Sequence, residues 1–267
     1  MKAEAFFSRH PVFSFAEAVA TMAPHKDRRG MVDRLKHHVK NRTLKQVARG
    51  VYAVVPPGED PEEFRPDPFL VGLALRPDAV FSYHSALELL GASHSIWNNV
   101  TLFSARRRAS LSADGMKFSV FRNPQQMNAS GEATIGTRKV ERRSKLLVVT
   151  GPERTLVEGF RRPALVGGFE ELVTSAAGFA VLDMELLLEI LERYGASRLW
   201  AAVGWFLERF RHEFHVKDDV LMQCERRRPG APQYVERDSR GGILLKRWNL
   251  IFPKSVANAV EPNEHQP

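Results

Sequence analysis

The stretch His25–Val55, HKDRRGMVDRLKHHVKNRTLKQVARGVYAVV, is basic throughout and changes its hydrophobic period once. Val32, Leu35 and Val39 fall on one helical face with Met31 at its edge, which predicts an amphipathic helix. The opposite face carries Lys26, Arg29, Gly30, Asp33, Arg34, His37 and Lys40. After Asn41 the pattern shortens to β-prone runs, Leu44 and Val47, then Val51, Ala53 and Val55, around an Arg49-Gly50 turn. Helix, strand, tight turn, strand is the second half of a winged helix-turn-helix. In that arrangement the helix enters the major groove of DNA and the hairpin leans on the backbone.

The charge lies in the same place. Residues 1–55 hold eleven Lys/Arg against four acids, a net +7, and everything after them holds 28 against 27, a net +1. An excess gathered on one segment points to a polyanionic partner, whereas a scattered one would bear only on solubility. A solvated basic face without a partner is the plain alternative.

Two short helices precede the basic one. Lys2–Arg9 predicts a first, with Ala5, Phe6 and Phe7 turned inward. Ser14 is a good N-cap for Phe15–Met22, and Glu17 at N3 completes a capping box. The turn-rich acidic run Pro56–Glu63 interrupts both periodicities and predicts a domain boundary. The expected fold is therefore α+β: a winged helix-turn-helix domain over 1–57 and a mixed α/β domain over 62–256. A polar tail over 257–267 is expected to be disordered.

In the second part, helices are predicted over Asp67–Leu75, Ser82–Leu90, Glu153–Phe160, Gly168–Ala177, Met184–Tyr194, Arg198–Phe210 and Lys217–Arg226. Strands are predicted over Asn99–Phe103, Lys117–Phe121, Thr134–Val140 and Lys145–Val149. A terminal hairpin would pair Tyr234–Val235 with Gly242–Trp248. One cysteine, Cys224, excludes an intrachain disulfide and suits a reducing cytosol. No apolar run approaches the ~20 residues that span a bilayer, and MKAEAFFSRH lacks the apolar core of a signal peptide. A cytoplasmic protein is expected.

Four blocks in order carry a wider resemblance: QVARGVYAV at Gln46–Val54, AVFSYHSALELLGA at Ala79–Ala92, GPERTLVEGFRRPALVGGFEELV at Gly151–Val173 and RWNLIFP at Arg247–Pro253. Together they resemble the AbiEi antitoxin family of type IV toxin–antitoxin systems. The resemblance implies an N-terminal DNA-binding domain that represses its own operon, through an inverted repeat in its promoter. It also implies a C-terminal domain that counteracts a nucleotidyltransferase toxin encoded beside it, without a stable complex. Free-standing winged-helix regulators share the architecture.

Candidate DNA contacts fall into two groups. Lys26, Arg29, Arg34 and His37 face away from the apolar stripe and are candidates for base edges or groove walls, with Arg28 leaning toward a phosphate. Arg42, Lys45 and Arg49 belong to the hairpin and suit phosphate contacts, which fix register without reading sequence. Gly30 either lets the helix approach DNA closely or marks its first turn. Arg106–Arg108 and Arg226–Arg228 are possible second patches, and Arg138, Lys139, Arg142, Arg143 and Lys145 lie on a predicted hairpin.

Catalytic signatures are missing: there is no G-x-S-x-G, H-E-x-x-H, Walker A loop or G-x-G-x-x-G. His212 and His215 share a predicted helical face but lack a third ligand. Asp183, Glu185, Asp218 and Asp219 fall at predicted helix starts, where acids favour the macrodipole. No catalytic residue, metal site or cofactor is expected. The expected function is a sequence-specific repressor of the antitoxin type, partnered by double-stranded DNA and not by a membrane. A protein–protein interaction module and an RNA-binding regulator are the rival readings.

Overall fold

The computed structural model describes residues 3–23, 27–105, 109–127, 135–235 and 242–254. Lys26, Arg106–Arg108 and the 257–267 tail lie outside the described residues. The fold is α+β. In chain order it opens with α1 (Ala3–Phe7), β1 (Val12–Ser14), α2 (Phe15–Met22), α3 (Arg28–Lys40), β2 (Leu44–Ala48), β3 (Val51–Val54) and α4 (Pro68–Leu75). Next come β4 (Val80–Phe81), α5 (His84–Leu89), β5 (Asn99–Phe103), β6 (Ala109–Ala113), β7 (Met116–Phe121), β8 (Thr137–Arg142) and β9 (Lys145–Thr150). It closes with α6 (Pro152–Arg161), α7 (Phe169–Ala177), α8 (Met184–Tyr194), α9 (Ser197–Arg209), α10 (Asp218–Arg226), β10 (Gln233–Tyr234), β11 (Ile243–Leu245) and β12 (Leu250–Phe252).

The chain divides into two compact units, each assembled from separate segments. The first takes residues 1–81, 97–122 and 139–148, and the second takes 82–96, 123–138 and 149–267. The acidic run at Pro56–Glu63 therefore lies inside the first unit.

At the start of the first unit, the Ser14 hydroxyl accepts from Glu17 N while Glu17 Oε2 accepts from Ser14 N, the reciprocal capping box that the sequence predicts. Strand β1 was not expected; three residues are too few to show a period. It pairs antiparallel with β3, which pairs antiparallel with β2, giving the order β1-β3-β2. Phe6, Phe7, Phe13, Ala18, Val19, Met22, Met31, Leu35 and Leu44 form one core beneath α3. Ala5, expected inside, is exposed.

The same unit holds most of a six-stranded sheet of order β6-β7-β5-β4-β9-β8. β5 and β7 run parallel, while β6 and β7 form a hairpin through Asp114-Gly115, both at positive φ, the Asp-Gly chemistry of a tight hairpin turn. Helix α4 packs on β1. Its Gly72 gives the clearance for the sheet, since an added Cβ would lie 3.1 Å from Phe81 Cε1. Three ion pairs fasten the N-terminal segment to later strands: Glu17–Lys145 at 3.1 Å, Lys45–Asp114 at 2.8 Å and, through α4, Asp67–Arg142 at 2.6 Å.

The second unit is built on α6, which is buried along almost its whole length. Glu153 and Arg154, at the start of that helix, lie wholly inside. Arg154 Nε donates to Glu158 Oε1 at 2.8 Å, Nη1 to the Ile135 carbonyl at 3.0 Å, and Nη2 to Asn123 Oδ1. Tyr194 donates to the same Glu158 oxygen at 2.8 Å. Burial pushes the Glu158 carboxyl up, against the pull of the Arg154 guanidinium and the Tyr194 hydroxyl.

The expected terminal hairpin is replaced by a three-stranded sheet of order β10-β12-β11. β12 is the centre, antiparallel to β11 and parallel to β10, because Leu250 and Phe252 are the apolar positions that reach the core. Trp248, just before it, is 1% exposed and donates from Nε1 to Glu208 Oε2 at 2.6 Å. Cys224 is wholly buried, and its thiol is pushed up to about 12 by that burial.

Gly204 in α9 lies under Trp248. Alanine there would improve helix propensity by about 1 kcal/mol, but its Cβ would sit 2.6 Å from Trp248 Cη2 and 2.8 Å from Cys224 Cβ. Overpacking of this kind costs roughly 1–3 kcal/mol. Gly204→Ala is expected to lower the thermal midpoint and the denaturant midpoint, and an unchanged or raised midpoint would contradict the packing described. Residues 1–60 expressed alone lose α4, Asp114 and Lys145. That fragment is expected to show no cooperative thermal transition by circular dichroism under conditions where the full chain is folded.

Candidate nucleic-acid interface

Helix α3 begins at Arg28. Asp27 is its N-cap, and the Asp27 carboxylate accepts from Gly30 N at 2.9 Å. A Cβ at Gly30 would press on that carboxylate, 3.1 Å from Cγ, so the glycine serves the cap. The buried edge is rotated from the one expected. Met31 is 2% exposed and Leu35 0%, Val39 is half-buried, and Val32 is 37% exposed. The long side chain of Met31 reaches the aromatic core, and His38 joins the inward edge by meeting Phe7 edge-on at 4.9 Å.

The outward face carries Arg29, Asp33, Lys36, His37 and Lys40, with Arg34 at its side, all exposed. Arg28 is exposed too, its guanidinium 5.1 Å from the centre of the Phe15 ring. None of Arg29, Arg34, Lys36 or Lys40 is in an ion pair among the described residues. Asn41 Nδ2 donates to His37 Nε2 at 2.8 Å, tying that ring to the helix end. The His38 imidazole is held below its usual range, first by burial and then by neighbouring His37 and Arg34.

The hairpin divides its cations between two uses. Gly50 has φ 73° at the turn, its carbonyl accepts from Phe15 N at 2.7 Å, and Arg49 beside it is exposed. Arg42, at φ 60°, pairs with Asp60 at 2.6 Å, both partners being about half exposed. The Asp60 carboxylate is held low, chiefly by the Glu62 backbone N–H and then by the Arg42 guanidinium. Lys45 departs furthest from expectation. Its ammonium lies 2.8 Å from Asp114 and donates to the Phe64 carbonyl at 3.0 Å, with 12% of the side chain exposed. A lysine so enclosed fastens the fold. Asp60, Asp114 and Phe64 lie far along the chain, and no local pattern announces them.

The other basic runs are also largely occupied. Arg142 pairs with Asp67 and stacks on Phe69 at 4.8 Å; Arg143 lies 4.0 Å from Asp67; Arg138 lies 3.3 Å from Glu153. Within Arg226–Arg228, Arg227 covers the Trp200 ring at 4.6 Å and meets Glu192, and Arg228 meets Glu225 at 3.2 Å. Grouping residues by compact unit sharpens the charge contrast seen along the sequence. The first unit holds 22 Lys/Arg and 12 Asp/Glu, a net +10, and the second 17 and 19, a net −2.

The second unit has a polar cluster that sequence reasoning missed. His84 Nε2 lies 3.2 Å from Ser95 Oγ, 3.3 Å from Ser93 Oγ and 3.8 Å from Glu171 Oε1. Glu171 Oε1 also accepts from the backbone N–H groups of His94 and Ser95 and from Ser175 Oγ. Hydroxyls and carboxylate converge on one ring nitrogen. The shared partners tie α5, the 93–95 loop and α7 together. His212 and His215 stand in a turn and do not share a helical face. Asp183 caps α8 by accepting from Leu186 N at 3.0 Å, and Asp218 and Asp219 open α10. Among the described residues no three metal-capable side chains gather, and no helix is long and apolar enough to cross a membrane.

No family model matches the chain, and no curated protein matches it. Among solved structures, the RV2827C protein from Mycobacterium tuberculosis superposes with a TM-score of 0.64 at 19% identity, over 93% of this chain and 89% of that one. The chain thus shares its overall α+β fold with the RV2827C protein.

Proposed function

We propose that the chain is a sequence-specific DNA-binding repressor that uses its first 57 residues as a winged helix-turn-helix, with α3 as recognition helix and the β2–β3 hairpin as wing. The observation that carries this reading is the outward face of α3. Its Arg29, Arg34, Lys36 and Lys40, in no ion pair among the described residues, stand in the more basic unit while neighbouring cations are neutralised by carboxylates. Unpaired side-chain cations on a helix of groove-filling width are what phosphates and guanine edges recognise. Arg28 and Arg49 extend the same surface to the flanking backbone.

The antitoxin reading rests on the four ordered blocks that resemble the AbiEi family. It assigns autoregulation to the first unit and relief of a nucleotidyltransferase toxin to the second, whose net charge of −2 leaves it little attraction for DNA. A cytoplasmic location accords with this role. One feature favours the rival protein-binding reading: Tyr234, Ile251 and Leu244 line up in register across the terminal sheet, with Tyr234 47% and Leu244 42% exposed.

The direct test is gel retardation of the DNA upstream of the gene. Retardation by the full chain is expected at low salt, falling steeply as salt rises. An inverted repeat should lie within the protected region. Indifference to this DNA at low salt would remove the repressor reading and leave the protein-binding one. Co-expression with the neighbouring reading frame tests the antitoxin role: relief of growth arrest is expected, by the intact chain and in the absence of a stable complex.

Single substitutions separate reading from positioning. Arg29→Ala and Arg34→Ala are expected to weaken the specific site by roughly 1–3 kcal/mol more than random DNA. Arg49→Ala should weaken both alike and reduce the salt slope by about one unit. Lys45→Ala should instead lower the thermal midpoint and leave the salt slope unchanged. A lowered slope with unchanged stability would show that Lys45 leaves Asp114 for a phosphate.

A further inference from the structure

Two residues on α3 are poor choices for a solvent-facing helix and form no local partnership. Val32 is β-branched, of low helix propensity, and 37% exposed. Asp33 stands in the middle of the exposed row Arg29–Asp33–His37–Lys40, four residues from Arg29 and three from Lys36. Opposite charges at these spacings ordinarily pair, yet Asp33 makes no ion pair and no hydrogen bond among the described residues. It lies beyond the first turn, too far along for the helix dipole to explain it. An acid here also weakens attraction to phosphates, so it is a cost to any binding that depends on charge alone. Where a local rule is broken without compensation, function is the usual reason.

We propose that Val32 and Asp33 carry base identity: the Val32 methyl groups meet a thymine C5 methyl, and the Asp33 carboxylate accepts from a cytosine N4 amino group on a neighbouring pair. The inference rests on the proposal that α3 enters the major groove, and it names what that groove must contain. Asp and Glu accept from cytosine N4, and apolar side chains contact the thymine methyl, because only these bases offer those groups there. The two residues sit on the second turn of α3, in the half of a recognition helix that approaches base edges. Arg29, itself a proposed base reader, and Lys36 flank them, at three residues before and four after Val32. Asp33 at the same time repels sequences that offer only acceptors at its position, which raises specificity at the expense of affinity.

The test uses the full chain and a randomised duplex pool. Selection with the wild type gives a preferred duplex, which is then altered one base at a time. Replacing one thymine by deoxyuridine removes a single methyl. The wild type is expected to lose roughly fourfold in affinity at that position, and Val32→Ala to bind the two duplexes equally. Asp33→Ala is expected to abolish the preference for one C·G pair, a preference worth roughly 5- to 150-fold in the wild type. Asp33→Asn serves as the charge control. If Asp33→Ala tightens every duplex alike, raises the salt slope by about one unit and keeps the base preference, Asp33 is only a charge and the proposal fails. It fails equally if no thymine methyl distinguishes wild type from Val32→Ala. If the wild type enriches no duplex from the pool, the DNA-binding reading itself falls first.

Discussion

Arg154 and Glu158 lie side by side with no exposed side-chain surface, and the second unit has to be built so that they can. Removing one partner of such a pair strands an uncompensated charge, at roughly 3–5 kcal/mol. The partners that prevent this come from distant segments: Asn123 and Ile135 from the stretch before α6, and Tyr194 from the end of α8. Neighbouring Glu153 accepts from Asp183 N at 2.9 Å, at the cap of α8. Helix α6 thus carries a buried polar face, and its Phe160 packs against Phe169 and Phe206. Its surroundings are specified by hydrogen-bond geometry as well as by volume, which favours one packing over its competitors.

The first unit uses charge in a different way. Glu17, Asp67 and Asp114 each receive a cation from a remote strand or turn, and those cations are thereby neutralised. Among the described residues, Arg28, Arg29, Arg34, Lys36 and Lys40 on α3 and Arg49 at the hairpin turn are in no ion pair. A surface selected in this way is more informative than a count of lysines and arginines. The pairs that hold the N-terminal segment on the sheet also orient α3, so fold and candidate interface depend on the same carboxylates.

Local features were legible in the sequence wherever their cause is local. The capping box at Ser14, the Gly50 turn and the long helices of the second unit all depend on residues within one turn of each other. Strands β1 and β4, of three and two residues, were not, since their pairing is set by a partner and not by their own pattern. The inward face of α3 was misjudged by a fraction of a turn. Hydrophobicity alone ranks Val32 with Leu35, whereas the aromatic core of Phe6, Phe7 and Phe13 selects the longer Met31. The burial of Glu153 and Arg154 was not legible, because nothing nearby in sequence names their partners.

The sequence by itself determined that a basic helix is followed by a glycine-turned hairpin, and that positive charge gathers there. Composition and period are properties of neighbouring residues, and they survive in any compact arrangement of the chain. Only the tertiary structure decided which cations remain free. An arginine or lysine is neutralised by whichever carboxylate the fold brings within about 4 Å, and Asp114 lies sixty-nine positions from Lys45. The same holds for the units, because the first one is closed by strands that return after long excursions through the second. Contacts of that range follow from packing many segments at once, and a one-dimensional pattern holds no record of them.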